Sequence, residues 1–484
     1  MTRLCERANA LAALVRRCVL ATLGSEGLFL VVMLLFNGVL NTQIFLNSAR
    51  EIGLVRDYIV MPWSGLLLGM YLMREKRHSG IDTWAPGLLV MWLAVPFMMR
   101  FGAEYGTLYS FFGYTVCFFV FYVSVSDRDA VTRGYQLDTV CAGVGLLSIV
   151  LGGALLYCAW TGEVFYSYVD TEHFGVVKGQ LQHAAHYNLT AMLALVCTMT
   201  CIVGLCRSKK KPLAAFYLLG AVIMTLVVVL TQSRTARYAM LAAYALGTWN
   251  ALGEYLPIRR TLLRHGAALA VAAVVLVGGF KLCTVITDAA LAHYAGAPSK
   301  VAQMIVPSAA AEDEAAKAAE KAEKPLKARK AGSSTFSDRT NIWKNIFKNW
   351  KENPRHMLIG NGSGRTMWLI AENTIHESRG YVKAHNAYLH FAAEFGLIGF
   401  AMLAVFMGSM VPAVLRVFFA RGKKRVPGGC ALCMLVVSIL ITGMMEIEPL
   451  DILTPISMAL FFALGQLVGM GRDIKRADDA GRKA

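Results

Sequence analysis

The chain has 484 residues, of which 56% are hydrophobic and only 16% are charged, and its mean hydropathy is +0.50. The apolar residues fall in blocks long enough to cross a bilayer, which excludes an ordinary soluble globular protein. Most of the net charge of +17 is explained by short connections between those blocks, and no nucleic-acid-binding module is recognisable. We therefore expect no nucleic-acid partner.

The hydropathy pattern predicts an all-α polytopic membrane protein with about twelve transmembrane helices. Nine of them fall within residues 1–287, three within 387–470, and residues 471–484 follow as a tail. The predicted spans are 28–46, 58–73, 84–100, 107–125, 137–159, 189–206, 213–231, 237–253, 266–287, 387–416, 428–445 and 453–470.

The distribution of basic residues predicts the orientation of these spans. Under this count one side carries the basic connections, namely Arg74 to Arg77, Arg128 with Arg133, Arg207 to Lys211, Arg259 with Arg260, and Arg421 to Arg425. By the positive-inside rule that side is cytoplasmic. Both termini then lie on the cytoplasmic side, and 161–188 and 288–386 lie on the outer side, which in a Gram-negative bacterium is the periplasmic side of the inner membrane. Residues 1–27 lack a convincing cleavage site, so we interpret them as an interfacial segment.

Several cysteine, aspartate and histidine patterns have part of the spacing of a metal or redox site. Eleven cysteines are scattered through apolar segments, and Cys430-x-x-Cys433 has no partner pair at zinc spacing. Asp127-Arg128-Asp129 falls on the predicted cytoplasmic side and is interpreted as a charged loop. His183 and His186 have the i, i+3 spacing of two metal ligands, but no carboxylate or cysteine completes a set. We expect neither a metal nor another cofactor.

The predicted periplasmic loop, 288–386, has two parts. Residues 308–332 form a tract of Ala, Glu and Lys that is interrupted by Pro325, and we interpret it as a spacer. Residues 333–386 begin with an amphipathic helix, behind Ser337 or Asp338 as its cap, whose apolar residues are Ile342, Trp343, Ile346, Phe347 and Trp350. The apolar face would lie on the membrane surface or pack on the bundle, and packing is favoured.

A glycine-rich turn, Gly360-Asn361-Gly362-Ser363-Gly364-Arg365, follows this helix. Its backbone amides are suited to holding an anion beside Arg365. A plain tight turn is the more frequent use of Gly and Asn. The turn lacks the Lys-Ser/Thr ending of a nucleotide-binding P-loop, so ATP is not expected.

Four motifs then occur in order: Arg339-x-x-Ile342-Trp343, Gly360-Asn361-Gly362, His385-Asn386-Ala387-Tyr388-Leu389 and Glu394-Phe395-Gly396-Leu397-Ile398-Gly399. Their order and spacing resemble the signature region of the O-antigen ligase and O-antigen polymerase superfamily. Upstream, Ser233-Arg234-Thr235-Ala236-Arg237 resembles the Ser-Arg element of these proteins. The polytopic frame with one large loop containing short helices is also similar, and is GT-C-like.

The resemblance implies transfer of a glycan from an undecaprenyl-diphosphate carrier to an acceptor hydroxyl outside the inner membrane. A ligase attaches the glycan to lipid A-core, a polymerase extends a growing glycan on its carrier, and a protein O-oligosaccharyltransferase uses Ser or Thr. The ligase is slightly favoured. Membrane lipid, the carrier-linked donor and the glycan or lipid A-core acceptor are the expected partners.

Three residues are the candidate catalytic groups. Histidine is the side chain whose ordinary pKa lies nearest neutrality, so His385 is the candidate general base for the acceptor hydroxyl. Guanidinium groups stabilise phosphate oxygens, so Arg339 and Arg234 are assigned to the diphosphate leaving group. The candidates for substrate binding are Asn386, Arg237, Arg365, Gly362, His186 and Tyr388.

Structural interpretations of the same residues stay open. Arg234 or Arg237 would snorkel to lipid headgroups, and Arg339 would pair with Asp338 or a helix terminus. His385 would cap the helix that it precedes. Glu394 lies in an apolar segment, where pairing with an arginine is favoured over catalysis.

Two function classes compete with the transferase. A lipid or glycan transporter would also have about twelve spans, but no inverted repeat, matching broken helices or chain of membrane-buried acids is evident. A structural anchor for an assembly complex would leave His385 without a role.

Overall fold

The computed structural model describes residues 22–40, 49–74, 80–98, 111–161, 181, 187–256, 261–295, 335–360, 362, 384–451 and 454–482. Within these ranges 87% of the structure is helical and there is no strand. The elements are α1 (Glu26–Leu40), α2 (Ala49–Leu72), α3 (Ile81–Met98), a π-helix (Val116–Ser124), α4 (Ala130–Thr161), α5 (Tyr187–Arg207), α6 (Lys211–Leu230), α7 (Arg234–Tyr255), α8 (Thr261–Ala295), α9 (Thr335–Glu352), α10 (Pro354–Ile359), α11 (Ala387–Phe418), a 3-10 turn (Gly422–Lys424), α12 (Gly429–Thr442) and α13 (Pro455–Gly481).

The helices confirm an all-α membrane protein. Among the described residues, five helices are long and apolar enough to cross a bilayer: Ala130–Tyr157, Asn188–Arg207, Lys211–Leu230, Thr261–Ala290 and Ala387–Phe418. Every predicted span overlaps a described helix. The count of twelve spans, the periplasmic position of 288–386 and the division into segments stay predictions. The spacer at 308–332 lies outside the described residues.

Large aromatic side chains fill the centre of the bundle. Phe118 meets Phe406 and Phe461 edge-on, with ring centroids 5.2 and 5.0 Å apart. The π-helix packs closely on α13, since a β-carbon at Gly465 would lie 2.7 Å from the carbonyl oxygen of Tyr122. Glycine therefore permits a backbone-to-backbone contact at this point.

A buried carboxylate joins three connections at one end of the bundle. Glu26 is fully buried, and its Oε1 accepts hydrogen bonds from Arg74 Nη2 (3.1 Å) and Arg128 Nη2 (2.9 Å). It also accepts from Ser124 and Gln136. Two guanidinium groups compensate the buried charge, so the connections predicted to share the cytoplasmic side do contact one another. We call this the Glu26 end.

The Asp127-Arg128-Asp129 segment takes part in helix packing and capping at the same end. Asp127 and Asp82 both pair with Arg472, at 3.0 and 2.5 Å. Asp129 caps α4, because its carboxylate accepts hydrogen bonds from the Val131 and Thr132 amides. These contacts agree with the interpretation of the segment as a charged structural loop.

Candidate functional site

At the end of the bundle opposite Glu26, the carboxylate of Glu446 connects three polar side chains. Its Oε1 accepts hydrogen bonds from Arg339 Nη2 (3.0 Å) and Asn188 Nδ2 (2.5 Å). Its Oε2 lies 3.5 Å from His385 Nδ1. The Glu446 side chain is only 5% exposed, whereas the imidazole is 37% exposed. The carboxylate is therefore the buried centre of the cluster, and His385 is its accessible edge.

Backbone hydrogen bonds fix the distance between His385 and Glu446. α12 ends at Thr442, and the chain turns before Glu446. The Ala387 amide, two residues after His385, donates to the carbonyls of Gly443 (2.8 Å) and Glu446 (3.1 Å). The first turn of α11 is thus attached to the turn that carries the carboxylate.

His385 has a left-handed backbone conformation, with φ of 48°. This region is uncommon for residues other than glycine and tends to occur at functional sites. Asn386 caps α11, because its side-chain oxygen accepts a hydrogen bond from the Leu389 amide (2.9 Å). The helix cap is therefore Asn386, and the imidazole remains free to face Glu446.

Tyr388 connects α11 to α12. Its hydroxyl donates to the Leu440 carbonyl at 2.7 Å. The binding role predicted for Tyr388 and Asn386 stays a prediction, and the contacts described here hold the start of α11 in place.

Arg234 begins α7, directly after the Ser233 cap. α7 packs along α12, and Glu254 at the far end of α7 pairs with Arg425 just before α12 begins (3.0 Å). The two helices therefore run antiparallel, which places Arg234 at the end of the bundle that carries Glu446.

Arg237, one turn further along α7, is engaged in packing contacts. Its Nη2 donates to Thr287 Oγ1 at 2.7 Å and to the Val229 carbonyl. These bonds join α7 to α8 and to the end of α6. His186 and Arg365 lie outside the described residues.

The amphipathic helix α9 packs on α11, as predicted. Its buried side chains Ile342, Ile346 and Trp350 form a cluster with Ala384, Ala392 and Ala393. Trp343 Nε1 also donates to the Ala384 carbonyl (2.8 Å). The polar bond and the apolar cluster hold Arg339, near the start of α9, beside His385.

The Gly360-Asn361-Gly362 motif contacts protein backbone. The Gly362 amide donates to the Glu394 carbonyl at 2.8 Å, so this amide is already engaged within the chain. The Glu394 carboxylate lies 3.5 Å from His390 Nε2, one turn earlier on α11. The described part of the motif therefore serves as a tight turn against α11.

Sequence reasoning missed the roles of Glu446 and Asn188. In the sequence, Glu446 is one of three nearby acidic residues with Glu448 and Asp451, and Asn188 follows the two histidines at 183 and 186. A carboxylate between two apolar helices was the available signal, since such groups in membrane proteins tend to be functional. Its partners could not be inferred, because they come from three distant parts of the chain.

Comparisons with known proteins agree with the motifs. Residues 219–404 match the family described as O-antigen ligase. That range includes Arg234, Arg237, Arg339 and His385, whereas Asn188 and Glu446 lie outside it. No curated protein matches the chain. The family match confirms the resemblance to the O-antigen ligase superfamily, and places an O-antigen ligase domain at residues 219–404.

Proposed function

We propose that the protein transfers a glycan from undecaprenyl diphosphate to an acceptor hydroxyl at the periplasmic face of the inner membrane. The observation that carries this proposal is the Glu446 cluster, in which Arg339 and His385 meet although residues 340–384 separate them in sequence. The family match supports a glycosyltransferase-type enzyme that uses lipid-linked glycans.

Glu446 prepares His385 to act as a base. A carboxylate beside Nδ1 favours the tautomer that carries its proton on Nδ1, and Nε2 is then left with a lone pair. The 3.5 Å separation is long for a hydrogen bond, and such contacts commonly shorten when substrate binds. The acceptor hydroxyl then delivers its proton to Nε2 as its oxygen attacks.

Arg339 has two tasks in this scheme. A guanidinium has five N–H donors, so the bond to Glu446 leaves donors for phosphate oxygens. Its side chain is 15% exposed, where charge-assisted hydrogen bonds are stronger than in bulk water. Arg234, at the same end of the bundle, supplies a second positive charge for the diphosphate.

The reaction is a single inverting displacement. The acceptor oxygen forms a bond to the anomeric carbon while the bond from that carbon to the diphosphate oxygen breaks. The electron pair of the broken bond leaves with the undecaprenyl diphosphate, and the acceptor proton passes to His385. Arginine donors aimed at the leaving oxygens stabilise the charge that develops in the transition state.

Substitution of His385 tests the enzyme against the other classes. We expect His385→Ala to lower transfer by about a hundredfold or more in inner-membrane preparations supplied with carrier-linked glycan. The matched control is His293→Ala, since His293 stacks on Trp160 and belongs to another helix, α8. Undiminished transfer in His385→Ala, at equal membrane insertion, would refute the base assignment.

The acceptor is tested separately. We favour lipid A-core as the acceptor, and the lipopolysaccharide ladder of a deletion strain reports on this choice. Loss of every chain-bearing species indicates a ligase, whereas survival of single-repeat species indicates a polymerase. Normal lipopolysaccharide with an unglycosylated protein would indicate a protein O-oligosaccharyltransferase.

A further inference from the structure

α11 begins at Ala387 and is broken at Gly396, about two and a half turns into the candidate membrane-spanning segment that follows His385. Gly396 has φ of 73° and ψ of 172°, which no helical residue adopts. A break of this kind frees backbone carbonyls that the helix would otherwise satisfy, and an unsatisfied carbonyl in an apolar region is costly. The preceding carbonyls must therefore have donors from elsewhere in the chain.

Two outside donors satisfy these carbonyls. The indole Nε1 of Trp92, on α3, donates to the Phe395 carbonyl at 2.9 Å. The Gly362 amide donates to the Glu394 carbonyl at 2.8 Å. Each donor comes from a different part of the chain, so the break is a junction between α3, α11 and the turn after α10.

Two glycines permit this junction to close. A β-carbon at Gly360, where φ is 91°, would lie 2.2 Å from the Glu394 carbonyl oxygen. A β-carbon at Gly396 would lie 2.1 Å from the Leu358 carbonyl oxygen. Each glycine thus contacts the backbone beside the other, and no larger residue fits either position without displacing the chain.

We infer that Trp92, Gly360, Gly362 and Gly396 form a clamp that positions Arg339 for the reaction, with Trp92 as a positioning residue; this rests on the proposed function. α9 and α10 are consecutive helices, and the clamp fixes the end of α10 to α11. The Trp343 bond to Ala384 fixes the side of α9 near Arg339. With both attachments in place, Arg339 is held over Glu446.

The clamp is tested first without reference to activity. Nitroxide labels at Lys348→Cys on α9 and Met444→Cys beside Glu446, both at exposed positions, report the distance between α9 and the Glu446 turn. The exposed Cys206 is changed to Ser in this background. We expect Trp92→Phe, which removes the indole N–H, to broaden the distance distribution relative to the wild-type clamp. Gly360→Ala should broaden it further.

Matched controls carry the same chemical changes outside the clamp. Trp84→Phe alters an exposed tryptophan on the same helix as Trp92. Gly408→Ala alters a glycine of α11 whose β-carbon would contact nothing within 4 Å. Both controls should give the wild-type distance distribution. An unchanged distribution in Trp92→Phe would overturn the clamp, even if Gly360→Ala fails to fold.

Turnover provides the second measurement. We expect Trp92→Phe to lower kcat about tenfold with little change in KM, since small displacements of positioned groups slow the chemical step. In an Arg339→Lys background the same change should cost less than a factor of about three, because coupled sites are not additive. Equal losses in both backgrounds would overturn positioning through Arg339. Absence of transfer in the wild type would instead overturn the proposed function, while the label distances still decide the clamp.

Discussion

Glu446→Gln is the sharpest perturbation of the candidate site, because it removes the charge and keeps the size. In the wild type, the two carboxylate oxygens face donors from Arg339, Asn188 and His385. A glutamine side chain has only one oxygen to accept hydrogen bonds, so its NH₂ group must face at least one of these three partners.

The expected loss follows from where that NH₂ group points. If the amide oxygen keeps Arg339 and Asn188, the NH₂ group faces His385 Nδ1 and makes this nitrogen an acceptor. The imidazole proton then lies on Nε2, which can no longer receive the proton of the hydroxyl. Loss of a positioned general base costs about 10² to 10⁴ in rate. In the opposite orientation the amide oxygen faces His385, and the NH₂ group faces the donors of Arg339 and Asn188. The buried charge-assisted hydrogen bond from Arg339, worth about 1.5–3 kcal/mol, is then lost.

The assay is the initial rate of glycan transfer in membranes that contain equal amounts of each variant. We expect Glu446→Gln to fall at least about a hundredfold, and Glu446→Asp, which keeps the charge, to retain more activity than Gln. Glu448→Gln is the control for the same chemical change in the same turn. Turnover of Glu446→Gln within about threefold of wild type would refute the tautomer argument.

Three further predictions concern residues around the site and the Glu26 end. Asn188→Ala should lower kcat about tenfold, since it removes one donor from a buried carboxylate, and an unchanged kcat in the transfer assay would exclude that role. Arg339→Lys should slow transfer at least about tenfold, because an ammonium cannot donate the two parallel hydrogen bonds of a planar guanidinium. Equal transfer rates in the variant and the wild type would remove Arg339 from the diphosphate site. Asp129→Ala should lower the free energy of unfolding by about 1 kcal/mol at neutral pH. Hydrogen bonds from the Thr132 hydroxyl and amide lower the pKa of Asp129, so this stabilisation is present above about pH 4 and is lost as pH falls through the lowered pKa. Thermal unfolding of both proteins across pH measures it, and a difference that grew on acidification would contradict the assignment.

Much of the helical architecture could be predicted from the sequence, because long apolar blocks and basic connections are local signals. The prediction that α9 packs on the bundle was correct, since Ile342, Ile346 and Trp350 are buried. The predicted cap was wrong, because the helix begins at Thr335 and both Ser337 and Asp338 lie within it. Phe347, predicted on the packed face, is exposed. The break at Gly396 could not be predicted. A glycine within an apolar helix is common, and only the approach of Gly360 makes this one a break.

The candidate site was predictable only in part. Arg339 and His385 follow from motifs whose spacing is visible along the chain. The role of Glu446 depends on the bonds from Ala387 to the turn after α12, which join residues far apart in sequence. The capping role of Asn386 could have been predicted, because asparagine is among the preferred residues at a helix start. From the sequence alone we assign Asn386 to substrate binding instead.

The buried Glu26 has a mechanical consequence for the helices that it joins. Removing its charge would leave the partly buried guanidinium groups of Arg74 and Arg128 close together without compensation, so the connections that bear them are held together by the carboxylate. Helices α1, α2 and α4 are held together at the Glu26 end, so any separation between these three helices is expected to be larger at their opposite ends. A lateral passage for a long lipid tail is therefore expected at the end of the bundle that carries His385, and not at the Glu26 end.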